Sequence, residues 1–426
     1  VLLTPLDLRG RPGPYDDLLP RPADPGRPVA DAVAAILADV RRDGDAALRA
    51  LTERFDHVVL DDLAVPLTEA RAALDAAPED LRRALATAWE RITAYHAAEG
   101  TPPGDVVSDG VRVRHLCRPV ARAGCYAPGG RATYPSTVLM CAAPARVAGV
   151  EELVLCVPPG PDGRIPAVTL AAAAVAGVDE IYRVGGAQAV GALAYGTETI
   201  ARVDVVVGPG NRYVAEAMRQ VAGTVGVASA FAGPSEVVVV AGPETPPRLA
   251  AVDLVVQAEH GPDGLAWLVT WSEEVAGAVQ AEVAALVAAS PRRADLEATL
   301  ADGGYCCLVD DVGAALAVAN VVAPEHLELL VDGAEDLLDQ VRSAGAVFCG
   351  VDAPAALGDY VAGPNHVLPT NRTARFASAL RADDFRRHLH AVSAGPEALR
   401  RLGPAVVTLA GVEGLPAHAL ALELRS

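Results

Sequence analysis

The sequence predicts an α/β protein of two doubly wound, Rossmann-like units, with an N-terminal arm in front and a small, mainly helical C-terminal tail domain behind. Three observations carry this. From Pro119 onward, apolar runs of strand length alternate with Ala-rich stretches of helical length, the rhythm of a parallel sheet covered by helices. At 426 residues the chain has room for two or three domains with ample cores. Hydrophobic residues make up 51% of it but aromatics only 4%, so those cores must be packed from Ala, Val and Leu.

The elements follow in order. The arm, residues 1–24, is broken by prolines and reads as extended. Apolar residues recur at helical spacing from Asp31 to Val40, and Arg41, Arg42 and Gly44 form a helix stop. More helix runs to about His96 and gives way to a Gly- and Pro-rich loop. The alternation then reads as strand Glu152–Val157, helix Ala167–Ala176, strand Glu180–Val184, helix Ala187–Tyr195, strand Val203–Val207 and helix Tyr213–Val221. It resumes with strand Glu236–Ala241, a helix through His260, strand Leu265–Trp271 and a long helix after Ser272. Strand candidates Tyr305–Val309, His326–Val331 and Ala346–Cys349 close the pattern. Gly233-Pro234-Ser235 marks a crossing between units. The expected division is 25–125 plus 236–378 for a first unit, 126–235 for a second and 379–426 for the tail. No internal repeat is visible at the residue level.

Composition excludes several functions. The 35 basic residues are all arginines, which rules out Schiff-base chemistry on a lysine and the lysine of a phosphate-binding loop. A net charge of −19 argues against nucleic acid or an anionic membrane as partner. The seven cysteines show no zinc-ligand spacing and no redox pair, as expected of buried thiols in a reducing compartment. Val1 to Leu19 lacks the apolar block of a signal peptide, and no apolar run is long enough to span a bilayer. A soluble cytoplasmic protein is the expectation.

Four segments join histidine to carboxylates among glycines and prolines: Gln257 to Pro262, Ala323 to Glu328, Gly358 to His366 and Glu413 to His418. Such segments are too polar and too broken for core, and suit rigid loops that present side chains to a ligand. They point to a metal-dependent enzyme. Gln257 and His260, three apart at a helix end, face one side; they are either metal ligands or a surface residue and a helix cap. Glu325 and His326 are candidates for acid/base work, since an imidazole exchanges protons near neutrality and a neighbouring carboxylate can activate water. Adjacent residues on a strand point to opposite faces, however, so only a turn at Pro324 would let the two share a substrate. The turns Gly185-Gly186-Ala187-Gln188 and Gly208-Pro209-Gly210-Asn211 each follow a strand and open a helix, where backbone N–H groups can meet a phosphate. Neither is a dinucleotide fingerprint. Tyr126, before Pro128-Gly129-Gly130, either stacks on a base or belongs to a plain turn. His57, His96, His115, His388 and His390 lack such company and read as structural or surface residues.

Taken together, Gly233 to Glu236, Gln257 to His260, Asn320 to Glu328, Gly358 to Pro369 and Glu413 to His418 resemble the histidinol dehydrogenase family, over nearly the whole chain. The resemblance implies a zinc-dependent oxidoreductase that turns an amino alcohol into an amino acid through a bound aldehyde, with two NAD and one water. It implies zinc ligands at Gln257, His260, Asp359 and His418, and a catalytic pair in which His326 takes the alcohol proton and Glu325 activates water. Substrate contacts fall on Ser235, His366 and Glu413 besides the ligands and His326, and NAD contacts on Tyr126, Gln188 and Asn211. The first unit then carries zinc and substrate, and the second NAD. The resemblance further implies a homodimer with a shared active site, in which the tail reaches into the partner. Met218 replaces a usual lysine, 226–231 is longer by one residue, and Ala379-Leu380-Arg381 stands for Gly-Leu-Ser. These departures leave open a paralogous zinc and NAD dehydrogenase for another amino alcohol or diol. The residues by themselves also permit a zinc metallohydrolase.

Overall fold

A computed structural model describes the chain except for residues 1, 21–25, 101–103, 130–132, 229–234, 260, 262–263 and 426. Two six-stranded sheets dominate it. In the first, the five strands Glu236–Ala241, Leu265–Thr270, Gly304–Leu308, His326–Leu330 and Ala346–Cys349 lie in the spatial order 3-2-1-4-5, all parallel, and Thr4–Asp7 of the arm adds a sixth beside Gly304–Leu308. The second repeats that order with Arg122–Tyr126, Glu152–Cys156, Glu180–Tyr182, Val205–Val207 and Gly226–Val227, and takes Ala64–Val65 as an antiparallel edge. The duplication invisible in the residues is thus plain in the topology.

Both sheets are apolar on two faces, as a parallel sheet covered by helices must be. Val237, Val239 and Ala241 enter one core with helices Pro247–Ala258, Glu273–Ala289 and Arg293–Gly303; Val238 and Val240 enter another with helix Val312–Val322. In the second sheet Leu153 and Leu155 face helices Pro135–Ala148 and Ala167–Ala176, while Val154 and Cys156 face Gly186–Tyr195 and Arg212–Val221. Among the described residues no helix is long and apolar enough to cross a membrane.

The structure differs from the sequence reading in three places. Residues 26–98, assigned with the first unit, pack on the second sheet: Leu37, Val40 and Leu48 share a core with Ala189 and Leu193, and Leu85 and Ile92 share one with Leu139 and Leu170. Arg122–Tyr126 is a central strand of the second sheet although the unit was expected to start at 126. Its Arg122 is buried at the strand start and held by Glu152 (2.5 Å) and Glu180 (2.5 Å), a polar clamp that hides the strand in the sequence. In the tail, helices Pro396–Val412 and Pro416–Glu423 follow a nine-residue strand, Arg386–Ala394, antiparallel to Val111–Pro119, with Val106–Ser108 beyond. Its mostly exposed, polar alternation gave no apolar signal.

Candidate active site

The two sheets offer opposite ends to function. In the first, Ser235 and Glu236 stand at the amino end of strand Glu236–Ala241, beside Glu325 and His326 at the amino end of the neighbouring strand His326–Leu330. Gln257 arrives at the same edge in the last turn of helix Pro247–Ala258, because the helix between two parallel strands runs back toward the start of the next strand. Asp359 comes to it from the last turn of Ala355–Tyr360, the helix that follows the edge strand Ala346–Cys349.

Ala323 in left-handed conformation (φ 49°) ends the preceding helix, Pro324 prevents its continuation, and Glu325 falls just before the strand begins. The turn lifts the objection that adjacent strand residues diverge. Glu325 and His326 are both buried, with Glu325 Oε2 3.7 Å from His326 Nδ1. His326 Nε2 lies 3.3 Å from Asp359 Oδ1. The backbone N–H of Glu236 donates to Glu325 Oε2 at 3.0 Å, and the Ser235 hydroxyl also hydrogen-bonds that carboxylate. Burial lifts the Glu325 carboxyl to about 7, against the pull of His326. Burial works against a charged His326, but the carboxylates of Glu325 and Asp359 outweigh it and raise the imidazole to about 9. The pair therefore forms an acid/base relay in ion-pair contact, one group near neutrality and the other above it.

His366 sits on the other side of Asp359, its Nδ1 2.8 Å from the Asp359 carbonyl and its Nε2 3.3 Å from the Thr137 hydroxyl. Thr137 belongs to the helix Pro135–Ala148 of the second unit, so this contact joins the two. Burial raises the Tyr360 phenol, and the nearby charges of Asp359 and Glu259 and the phenol of Tyr134 raise it further, which brings the end of the Gln257 helix and the Tyr134 turn to the same loop. Gln257 is only 4% exposed, so it is not a surface residue, and its amide nitrogen meets no partner among the described residues. His260 lies outside the described residues. Glu413 and His418 are exposed on the tail.

Sequence reasoning missed the support of this loop. Asn365 donates from Nδ2 to the Met140 carbonyl (2.6 Å) and to His96 Nε2 (3.1 Å), and accepts from the Val367 amide (2.9 Å). His96 passes its other nitrogen to Glu99 at 3.0 Å, which assigns the proton to Nδ1; burial lowers its pKa. It also missed Glu236, a wholly buried carboxyl raised to about 8 by burial and by Glu325, and Glu328, buried and raised to about 8 by burial beside Asp253. The placement of Glu236 next to Ser235, and of Glu328 two beyond His326, was the available signal.

The second sheet uses its carboxyl end. There a cavity of about 1000 Å³ opens beyond the carboxyl ends of Arg122–Tyr126, Glu152–Cys156 and Glu180–Tyr182, walled by helix Gly26–Asp56 and reached by Asn211, the end at which a doubly wound sheet carries its ligand crevice. Tyr126, Gln188 and Asn211 all line it, with Gly186, Pro158 and Thr133. Tyr126 is a strut, not an exposed stacking platform: it is buried, and its hydroxyl accepts the Gly186 amide at 3.2 Å. Asn211 caps helix Arg212–Val221, its Oδ1 accepting from the amides of Tyr213 (3.0 Å) and Val214 (3.2 Å). Gly208 (φ 128°) lies against the Tyr126 carbonyl, where any Cβ would collide. Met218 is fully buried in the core beneath this helix.

The histidinol dehydrogenase family model matches residues 19–426. The histidinol dehydrogenase of Gluconobacter oxydans is 50% identical over 406 residues, covering 94% of this chain and 93% of its own. That of Bordetella parapertussis is 45% identical over 433 residues, covering 100% and 98%. The crystal structure of histidinol dehydrogenase from Elizabethkingia anophelis superposes with a TM-score of 0.94 at 32% identity, covering 100% of this chain and 98% of that one. The relay at one sheet's edge, the crevice at the other's and these full-length matches lead to one conclusion: the chain belongs to the histidinol dehydrogenase family and is an oxidoreductase.

Proposed function

We propose that the chain oxidises L-histidinol to L-histidine through a bound L-histidinal, with two NAD and one water per turnover and one zinc per site. The observation that carries this reading is the buried chain Ser235–Glu325–His326–Asp359 joined, through His366 and Thr137, to the unit that holds the crevice. NAD in that crevice, against Tyr126, Gln188 and Asn211, would accept hydride once from the alcohol and once from the hydrated aldehyde.

An amide, a carboxylate and two imidazoles form a nitrogen and oxygen donor set of the number zinc takes. Gln257 would enter such a set through its amide oxygen; its buried Nε2, a hydrogen-bond donor that cannot ligate a cation and that meets no partner among the described residues, is left for an acceptor on a bound ligand. Asp359 and His260 would join it from the same chain and His418 from a second copy. Bound there, zinc would fix the orientation of the substrate's imidazole and amine.

The chain's own residues do the proton work. His326, between two carboxylates, is a strong acceptor once deprotonated and takes the alcohol proton. Glu325, near neutrality, takes a proton from water as it adds to the aldehyde and can release it again. Ser235 and the Glu236 amide hold the Glu325 oxygen in place, while His366 and Glu413 meet the substrate. A homodimer with a shared site accounts for the tail, whose Leu409, Val412 and Leu424 are 62%, 84% and 76% exposed in a single chain. The test is to supply L-histidinol and NAD to the zinc-loaded protein and quantify L-histidine by chromatography. Histidine formed with NAD consumption, and abolished by chelation, is expected. A folded, zinc-loaded dimer that makes none refutes the reading.

A further inference from the structure

A second group of metal-ligating side chains lies away from the relay, on the three-stranded sheet at the root of the tail. Strand Arg386–Ala394 pairs with Val111–Pro119 so that His388 is directly opposite Cys117 and His390 directly opposite His115. Directly opposed residues of an antiparallel pair share a face, so all four side chains lie together. Asp383, from the turn just before the strand, reaches the same spot: its two oxygens are 2.9 and 3.0 Å from His388 Nε2. The other nitrogen of His388, Nδ1, is 2.9 Å from His115 Nε2, and the His115 and His390 rings stack at 5.7 Å. Ligand atoms of Cys117, Asp383 and His388 all fall within 4.8 Å of one another.

We propose that Cys117, Asp383 and His388 form a binding site for a divalent transition-metal ion of the zinc class, with His115 as the outer partner that fixes the His388 ring. A thiolate, an imidazole and a carboxylate are zinc's usual ligands, and three protein ligands leave a fourth place for water. Bond lengths of about 2.0–2.3 Å require ligand atoms about 3.5 Å apart in a tetrahedral site, so the Cys117 sulfur, within 4.8 Å of the other two, must close by up to about an ångström while the His388 Nε2–Asp383 pair, at 2.9 Å, opens slightly. His388 and Asp383 are exposed and Cys117 half-buried, so rotation of their side chains supplies that closure. A ligating histidine characteristically donates its second ring N–H to a neighbour, and His115 Nε2 stands ready to accept it from Nδ1, leaving Nε2 for the ion. Binding displaces the Cys117 thiol proton to solvent, since the thiolate is the ligand. The ion would tie residues 271 positions apart in sequence, Cys117 and His388, and so fasten the tail to the body. The site is chemically distinct from the one proposed above, whose ligands include no cysteine.

That distinction sets the experiment. Cobalt(II) is titrated into the metal-free full-length protein, and the near-ultraviolet thiolate-to-cobalt charge-transfer band is followed. With cobalt added to saturation of both proposed sites, the band should reach the intensity of one thiolate-bound cobalt per chain in the native protein and in Gln257→Ala, but not in Cys117→Ser. His115→Ala should keep the band with affinity weakened about 10–100-fold, the usual effect of removing an outer partner. If circular dichroism shows Cys117→Ser to be misfolded, His388→Gln, at an exposed position, makes the same comparison. No band in the folded native protein, a band undiminished in Cys117→Ser, or its loss in Gln257→Ala would each overturn the proposal.

Discussion

Replacing Asn365 by alanine tests whether the relay depends on the support behind it. The side chain is 3% exposed and makes three hydrogen bonds, to the Met140 carbonyl, to His96 Nε2 and from the Val367 amide. Truncation leaves all three partners buried and unpaired. At about 1–3 kcal/mol for each orphaned group, and with water recovering part of this in the space opened, the expected loss is about 3–5 kcal/mol. That is a large share of a typical stability of about 5–15 kcal/mol. The functional loss follows from position: Asn365 lies between Asp359, which holds His326, and His366, which contacts Thr137. A displacement of about 1 Å in such a group costs about 100-fold in rate. Urea unfolding and the kcat of L-histidinol oxidation should both show it, with a clearly lower midpoint and a kcat down about 100-fold. Asn365→Asp, which keeps the acceptor for Val367 but loses both donors, should fall between. An unchanged midpoint and unchanged kcat in Asn365→Ala would refute the supporting role.

Further outcomes follow from the same geometry. His96 is held neutral in the fold with its pKa lowered by burial, so its contribution to stability is complete above the unfolded value of about 6.5 and is lost as pH falls below it, by up to about 1.4 kcal/mol per pH unit until the folded pKa is reached; unfolding curves between pH 7 and 5 should show this, and His96→Gln should remove that part of the dependence. Gly208→Ala forces a Cβ into the Tyr126 carbonyl at a φ of 128°, a strain of about 1–3 kcal/mol before the collision is counted; calorimetry should find NAD affinity reduced at least about tenfold. His326→Ala should abolish turnover while zinc content and dimer remain, and normal turnover would remove His326 from the chemistry. Mixing Glu325→Ala with His418→Ala chains should restore part of the activity in heterodimers, and no restoration after proven subunit exchange would exclude a shared site.

The alternation of apolar runs made both sheets legible, because strands buried on two faces are written as continuous Val and Leu. Arg122–Tyr126 escaped because its first residue is a buried arginine whose partners, Glu152 and Glu180, lie on other strands. Arg386–Ala394 escaped because an exposed two-sided strand has no apolar period. Helices 26–98 were legible as helices, but which sheet they cover depends on matching faces that no local pattern contains. In the site, the motif segments marked Glu325, His326, Asp359 and His366, and the structure brings these together with Ser235. The Asn365–His96–Glu99 support was hidden since a lone His in a helix carries no sign of the asparagine it will meet 269 residues away. Likewise His115, Cys117 and His388 form a group only once the two strands pair in register.

The division of labour between His326 and Glu325 is the centre of the account, and a single-turnover measurement addresses it. Zinc-loaded protein is mixed with less than one L-histidinol per site and excess NAD, and NADH is counted. The native protein should form two NADH per histidinol. Glu325→Gln, which keeps the shape of the side chain but cannot take a proton from water, should stop after the first oxidation and form one, with the aldehyde retained. Two NADH at the native rate from Glu325→Gln would contradict the assignment of water activation to Glu325.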